Sequence, residues 1–358
     1  MKKIPKRWRE LSIKQKLSIP EKYFKIDRKE IEKIRKISDP KKRLIEAARI
    51  QYELFKDIHT YLTVWIAGYA SDITIRQYFN STSNLLKIFM KDIPLDKKGE
   101  FSWADIKRSI KIPVEMTNDL AEETGIHLGD GNLTISTEKA GYKSYRYSIS
   151  GDLTDEYFYH VTYIANLMKD IYNARGIFIK RPNKNSIDSK YNSKAIVNFK
   201  NKFLGLPVGP KKNAHIPKII LEDNEFSKRC VCGIIDTDFN ITSSLAISGK
   251  LHSLHITKEM HEILERNNIK HVFRVYKDYA RFYISKKVAI KIVKEWQLHN
   301  LKHLSKYAIF EKFGKFLPYT TTSERLALLN KKLNLDDLEK ISKSRKLNKM
   351  LTNSYIKD

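Results

Sequence analysis

Asp130 and Asp238 close two short segments of one pattern. Glu123–Gly131 reads E-T-G-I-H-L-G-D-G, and Val231–Phe239 reads V-C-G-I-I-D-T-D-F. Superimposed, Gly125 meets Gly233, Ile126 meets Ile234, Gly129 meets Thr237 and Asp130 meets Asp238, at a constant offset of 108 positions. A repeat on this scale implies two similar halves built on one unit. Because each copy ends in an aspartate, the shared element is chemical as well as structural. Two carboxylates brought together suit a hard divalent cation such as Mg²⁺, which takes carboxylate and carbonyl oxygens.

The spacing also says how the aspartates would meet. Gly125 and Gly129 are four apart, on one face of a helix, and Gly233 and Thr237 repeat the spacing. Small residues there let two helices approach closely. Packed side by side, they bring Asp130 and Asp238 together, with the terminal carbonyls of Gly129 and Thr237 as further ligands. A carboxylate at a helix C-terminus opposes the dipole at a cost of about 0.3–1 kcal/mol, and converging carboxylates repel. A bound cation reverses both penalties. The alternative, that Asp130-Gly131-Asn132 is only a helix-ending turn, explains the first copy but not the second, where Phe239 replaces the glycine. A bulky residue disfavours left-handed backbone, so the second helix is expected to end differently, through Asn240, and to shift the geometry of its half. His127 is expected to pack rather than to ligate, and Asp236 to cap or pair locally.

Around each motif the periodicity predicts the same series of elements. In the first copy a helix over 116–129, capped by Thr117 or Asn118, precedes alternating strands at 132–137 and 144–150. A helix over 155–174, strands at 177–181 and 187–191, and a helix over 193–204 follow. In the second copy a helix over 225–238 precedes a hairpin of strands 241–247 and 251–257 around Gly249-Lys250. A helix over 258–268, strands 272–276 and 281–284, and a helix over 286–296 complete it. The expected fold is α+β: two pseudo-symmetric αββαββα repeats, at 101–205 and 223–307, joined by a Gly/Pro-rich linker at 206–222. Residues 1–100 read as a mainly helical N-terminal region, Lys-rich to residue 38, with a helix from Pro40 to about Ile66. Within 70–90 lies the outline of a helix-turn-helix, one face being Ile73, Ile75 and Phe79. Pro94–Gly99 reads as a linker, and 308–358 as a basic helical extension.

The 358 residues carry 68 Lys+Arg against 41 Asp+Glu, a formal charge of +27, with 19 Tyr interleaved. This balance points to nucleic acid, ahead of a generic basic surface or an anionic membrane. A hydrophobic fraction of 41% supports real cores and excludes a disordered tail. Cys230 and Cys232, the only cysteines, fall in an apolar helical run. They exclude a disulfide framework and a four-thiolate zinc site, and read as packing residues in a reducing compartment. With no membrane-span-length apolar stretch and no signal-peptide core, the expected location is the cytoplasm, nucleoid-associated when bound.

Two such repeats, each opening with a helix that ends G-x-x-x-D, resemble the LAGLIDADG homing endonucleases in their single-chain, prokaryotic or archaeal form. Leu204–Gly209 with Ile216-Pro217, and Lys302–Tyr307, also resemble recurring segments of prokaryotic members. The likeness covers about residues 105–307. It implies a divalent-metal-dependent double-strand break at a long DNA site, with Asp130 and Asp238 as metal ligands, Mg²⁺ as cofactor and double-stranded DNA as partner. It also implies mobility of an intron or intein gene. A pseudo-twofold chain is expected to act as a monomer. Lys211 and Lys306 are candidates for a basic residue near the scissile phosphates. The polar strand faces would read base edges in the major groove: Asn132, Thr134, Ser136, Ser144, Arg146 and Ser148 in one half; Ser253, His255, Thr257, Arg274, Tyr276, Arg281 and Tyr283 in the other. The rival expectations are a non-cleaving DNA-binding regulator of the same fold, an RNA maturase assisting intron splicing, and a structural RNA-binding protein.

Overall fold

The computed structural model describes residues 26–55, 60–69, 73–80, 85, 88, 101–137 and 143–355. The chain divides into two compact units, residues 1–107 and 108–358.

The first unit is helical: α1 (Arg28–Arg35), α2 (Pro40–Phe55), α3 (Thr60–Ile66), α4 (Ile73–Phe79) and α5 (Trp103–Lys107). Asp27 caps α1 through the Lys29 amide. Its core gathers Ile31, Ile34, Leu44, Ala47, Leu62 and Phe79, with Gln51 donating to Thr63 at 2.7 Å inside it. Ile75 and Phe79 are buried, but Ile73 is 60% exposed. Two residues apart on a helix point to nearly opposite sides, so Ile73 does not share their face as expected. Most of the second half of the expected helix-turn-helix, and the linker at 94–99, lie outside the described residues.

The second unit holds the repeats. The first runs α6 (Asn118–Asp130), β1 (Gly131–Thr137), β2 (Lys143–Asp152), α7 (Ala165–Tyr172, preceded by wide π-type turns over Tyr159–Ile164), β3 (Ile177–Arg181), β4 (Ser186–Tyr191) and α8 (Lys194–Asn198). After α9 (Lys218–Leu221) the second runs α10 (Asn224–Asp238), β5 (Phe239–Ile241), β6 (Ile247–Leu251), α11 (Leu254–Arg266), β7 (Val272–Val275), β8 (Ala280–Ile284) and α12 (Lys286–Lys291). The two four-stranded sheets have the same order, β1-β2-β4-β3 and β5-β6-β8-β7, and every pairing is antiparallel. The fold is mixed α+β with an internal repeat, as the periodicity predicts. Then come α13 (Leu301–Phe313), α14 (Thr322–Leu329) and α15 (Leu335–Tyr355). Buried Arg325 fastens this extension to the first repeat, reaching Asp155 at 3.3 Å and Ser305 at 2.8 Å.

The second hairpin departs from expectation. β5 and β6 are joined through residues 242–246, and Gly249-Lys250 lies within β6 rather than at a turn. The segment expected as strand 251–257 instead enters α11. Ser253 caps that helix by accepting from the Ile256 amide, and Ile256, Met260, Ile263 and Leu264 are buried. That spacing is helical; the alternation of Leu254 and Ile256 covers too few residues to separate the two periods.

Phe239 also resolves differently. Both motif helices run straight into a strand, with Gly131 at φ −80°, ψ 155° and Phe239 at φ −108°, ψ 162°. Neither end needs left-handed backbone, and Asn240 plays no terminating role. The volumes are exchanged across the strand pair: Gly131 faces Ile149 in one copy, and Phe239 faces Gly249 in the other. A Cβ on Gly249 would lie 2.5 Å from ring carbon Cδ2 of Phe239, so the missing side chain makes room for the ring.

Candidate metal centre and nucleic-acid face

The motif helices α6 and α10 pack through their small residues. A Cβ on Gly125 would lie 2.8 Å from the Cys230 carbonyl carbon, and one on Gly233 2.7 Å from the Ile126 amide nitrogen. Gly129 faces Thr237, whose Cβ would lie 2.9 Å from a Gly129 Cβ. Thr237 Oγ1 turns back onto the Gly233 carbonyl at 2.9 Å. At the other end Arg229 of α10 pairs with buried Glu122 of α6. Tyr163 (2.7 Å) and His299 Nδ1 (2.8 Å) also donate to Glu122.

Asp130 and Asp238 therefore end neighbouring helices. Burial first, then the Asp238 charge and that of Glu156, raise the Asp130 carboxyl to about 7. Desolvation also raises Asp238, though the residue keeps solvent access, against the opposing influence of Lys211, Lys302 and His252. Lys211 and Lys302 offset only part of the rise in Asp130, so further positive charge is favoured there, and a hard cation with oxygen ligands matches that need. The residues present thus fit a divalent ion.

The expected ligand carbonyl of Gly129 is already engaged. Lys211 Nζ donates to the carbonyls of His127 (3.0 Å) and Leu128 (2.9 Å) and, closest of all, to that of Gly129. A helix C-terminus leaves such carbonyls open and attracts cations. The connection that carries Lys211 is held to β1, Gly209 N donating to the Leu133 carbonyl at 2.8 Å. Lys306 reaches the Ile241 carbonyl at 3.4 Å; burial, then Arg325, lower its ammonium to about 8. A cleft of about 450 Å³ opens beside this centre, lined by Gly129, Lys211, Lys212, Asp238, Lys250 and His252.

The sequence reading missed Glu156 and Lys302. Glu156 is buried and takes Lys302 Nζ at 2.7 Å and Asn300 Nδ2 at 3.0 Å on one oxygen, and the Asp152 amide on the other. Lys302 came to notice only as part of a recurring segment. His127 is packed, as expected, fully buried against Tyr147 at 5.2 Å. Asp236 is buried but does not pair locally as expected; it accepts from the amide of His299, 63 residues on, at 2.7 Å, and burial raises its carboxyl to about 6.

The outward sheet faces carry most of the expected strand residues. In the first, Asn132 lies opposite Ser148, Thr134 opposite Arg146 and Ser136 opposite Ser144. Lys190 extends the row beside Ser148. In the second, Arg274 lies opposite Arg281 and beside it Lys250, while Tyr283 lies between Val272 and Ser248. Four expected positions are elsewhere. Ser253 and Thr257 are buried in α11, and His255, on the same helix, stacks on His215 at 4.0 Å. Tyr276 lies past β7, its amide donating to the Tyr279 carbonyl across the turn into β8. Lys190, Ser248 and Lys250 were missed because cross-strand register, not alternation, places them. Among the described residues no helix is long and apolar enough to cross a membrane.

No family model matches the sequence, and no curated protein matches it. Among solved structures the chain is similar to the homing endonuclease I-DmoI. The crystal structure of I-DmoI in complex with DNA and Mn is 15% identical over 49% of this chain and 94% of that one, with a TM-score of 0.40. The complex with DNA and Ca is 14% identical over 53% and 97%, at 0.43. I-SmaMI bound to uncleaved DNA target in the presence of calcium ions is 12% identical over 63% and 97%, at 0.38.

Proposed function

We propose that this protein is a site-specific DNA endonuclease that uses a divalent metal, Mg²⁺ by preference, to break both strands of a long target. The reading rests above all on one observation. Two carboxyls with raised affinity for protons end a glycine-packed helix pair, half-buried Asp130 from one repeat and solvent-accessible Asp238 from the other. Such a pair is an electrostatic liability without a cation, and a non-cleaving DNA-binding regulator has no use for it. The ion, when bound, supplies an activated water and stabilises charge on the phosphate. Asp130 and Asp238 would hold it, while Lys211 occupies the carbonyls at the end of the first helix. Lys211 and Lys306 place positive charge beside the scissile phosphates, Lys306 being the better proton acceptor because its ammonium is held down to about 8. Arg146, Thr134 and Asn132 read one half-site, and Arg274, Arg281 and Tyr283 the other, with lysines neutralising phosphates. One chain supplies both halves, so it cuts as a monomer. Mobility of the encoding intron or intein gene is the matching biological role.

The test is cleavage of a genomic or plasmid library with Mg²⁺, followed by sequencing of the ends. Asp130→Asn and Asp238→Asn should each abolish double-strand cleavage while DNA affinity stays within about tenfold. Full activity in either variant removes that residue from the metal site.

A further inference from the structure

We infer that the second repeat carries a separate transition-metal site, formed by His261, Glu265 and His271, that takes Zn²⁺ or an ion of similar chemistry. The inference goes beyond the nuclease reading and stands without it. Each of the three residues offers one ligand atom, and these atoms lie within 4.8 Å of one another. His261 and Glu265 are four apart on α11 and so share a face. His271 comes from the segment just before β7.

The two imidazoles are already set for ligation. His271 Nδ1 lies 2.7 Å from the Ile269 carbonyl, an acceptor only, so Nδ1 carries the proton and Nε2 keeps its lone pair. A backbone carbonyl on the far nitrogen is the usual device that orients a metal-bound histidine. His271 Nε2 lies 2.8 Å from His261 Nδ1. Without metal the His261 proton fills that gap; a metal ion would displace it and take both lone pairs. Tetrahedral zinc with bonds of about 2.0–2.1 Å sets two nitrogens about 3.3 Å apart, so the rings must open by only about 0.5 Å. Packing holds them meanwhile: His261 stacks on Phe273 at 4.6 Å, and His271 lies 5.8 Å from Phe282. Glu265 is 63% exposed, with an oxygen 3.8 Å from His271 Nδ1, and is free to swing onto the ion. Two imidazoles and one carboxylate favour zinc-type ions over Mg²⁺, which separates this site from the aspartate pair.

The site belongs to one repeat. Left-handed Asn173 and Asn268 close the equivalent helices, each four residues before the next strand. By that correspondence the first repeat has Asn166, Asp170 and Gly176 where the second has His261, Glu265 and His271. Glu122, Asp236 and His299 also converge, but there the Arg229 guanidinium already holds Glu122. Zinc at His261, Glu265 and His271 would tie α11 to the start of β7, the strand that carries Arg274.

The experiment titrates the full chain with Co²⁺ alone, in an Asp130→Asn, Asp238→Asn background that removes the other centre. The expected result is one Co²⁺ per chain with visible ligand-field absorption, displaced by Zn²⁺, and a melting temperature that rises with Zn²⁺. His261→Ala and His271→Ala should remove the absorption. Glu265→Gln, at an exposed position that cannot break the core, should weaken Co²⁺ binding by about tenfold or more. The inference is overturned by a parent with no such absorption, or by absorption that persists in His261→Ala. Unchanged affinity in a folded Glu265→Gln protein overturns the three-residue site even if the histidine variants fail to fold.

Discussion

Adding one methyl group to each motif glycine should separate two kinds of close contact. In Gly125→Ala the new Cβ would meet backbone, 2.8 Å from the Cys230 carbonyl carbon. Carbon atoms rest at about 3.5–4.0 Å, so α6 and α10 must part by roughly 1 Å. Overpacking of this kind costs about 1–3 kcal/mol, a fall in melting temperature of about 2–4 °C per kcal/mol in a unit of this size. In Gly129→Ala the obstacle is the Thr237 side chain, its Cβ 2.9 Å away. Thr237→Ala removes Oγ1 and with it the worst of that clash. Thermal unfolding should show both single variants destabilised, with Thr237→Ala restoring much of the loss in Gly129→Ala and none in Gly125→Ala. Equal rescue of the two, or a Gly125→Ala protein that melts like the parent, would refute the contact geometry.

Burial raises the folded-state pKa of Asp130 to about 7. A carboxyl raised in this way binds its proton more tightly when folded, so stability is lost as pH climbs from the unfolded value, near 4, through 7. Asp130→Asn should therefore be more stable than the parent at pH 8 without metal, by roughly a few kcal/mol at most, and so melt higher, and Mg²⁺ should raise the melting temperature of the parent only. A lower melting temperature for the variant under those conditions would contradict this. Gly249→Ala should cost about 1–3 kcal/mol by pressing on the Phe239 ring, and Phe239→Leu should recover part of it in chemical denaturation; additive losses would show that the two do not share space. Arg146→Ala and Arg274→Ala should relax base preference in opposite half-sites by about 1–3 kcal/mol. Randomised-site selection that returns the parent consensus for both would make them phosphate contacts.

Much of the centre was legible because its signals are local. Small residues four apart, an aspartate at each helix end and alternation in β1 and β2 depend only on spacing along the chain. That information was enough for the repeat, the helix pair and most of the strand faces. Alternation failed at 251–257, where a short segment fits either period and the deciding facts are the Ser253 cap and the burial of Met260 and Ile263.

Tertiary structure decided what depends on meetings across long separations. Phe239 is tolerated because Gly249 lies opposite it in the strand pair, which no property of Phe239 announces. Lys211 closes the helix end 82 residues before it, and Lys302 meets Glu156 across 146. Deep in the first repeat Lys200 and Glu123, both buried, pair at 2.6 Å. Each such charge looks like ordinary solvated surface in the sequence. Burial makes an unpaired charge costly, and only the packed chain shows which partner is within reach.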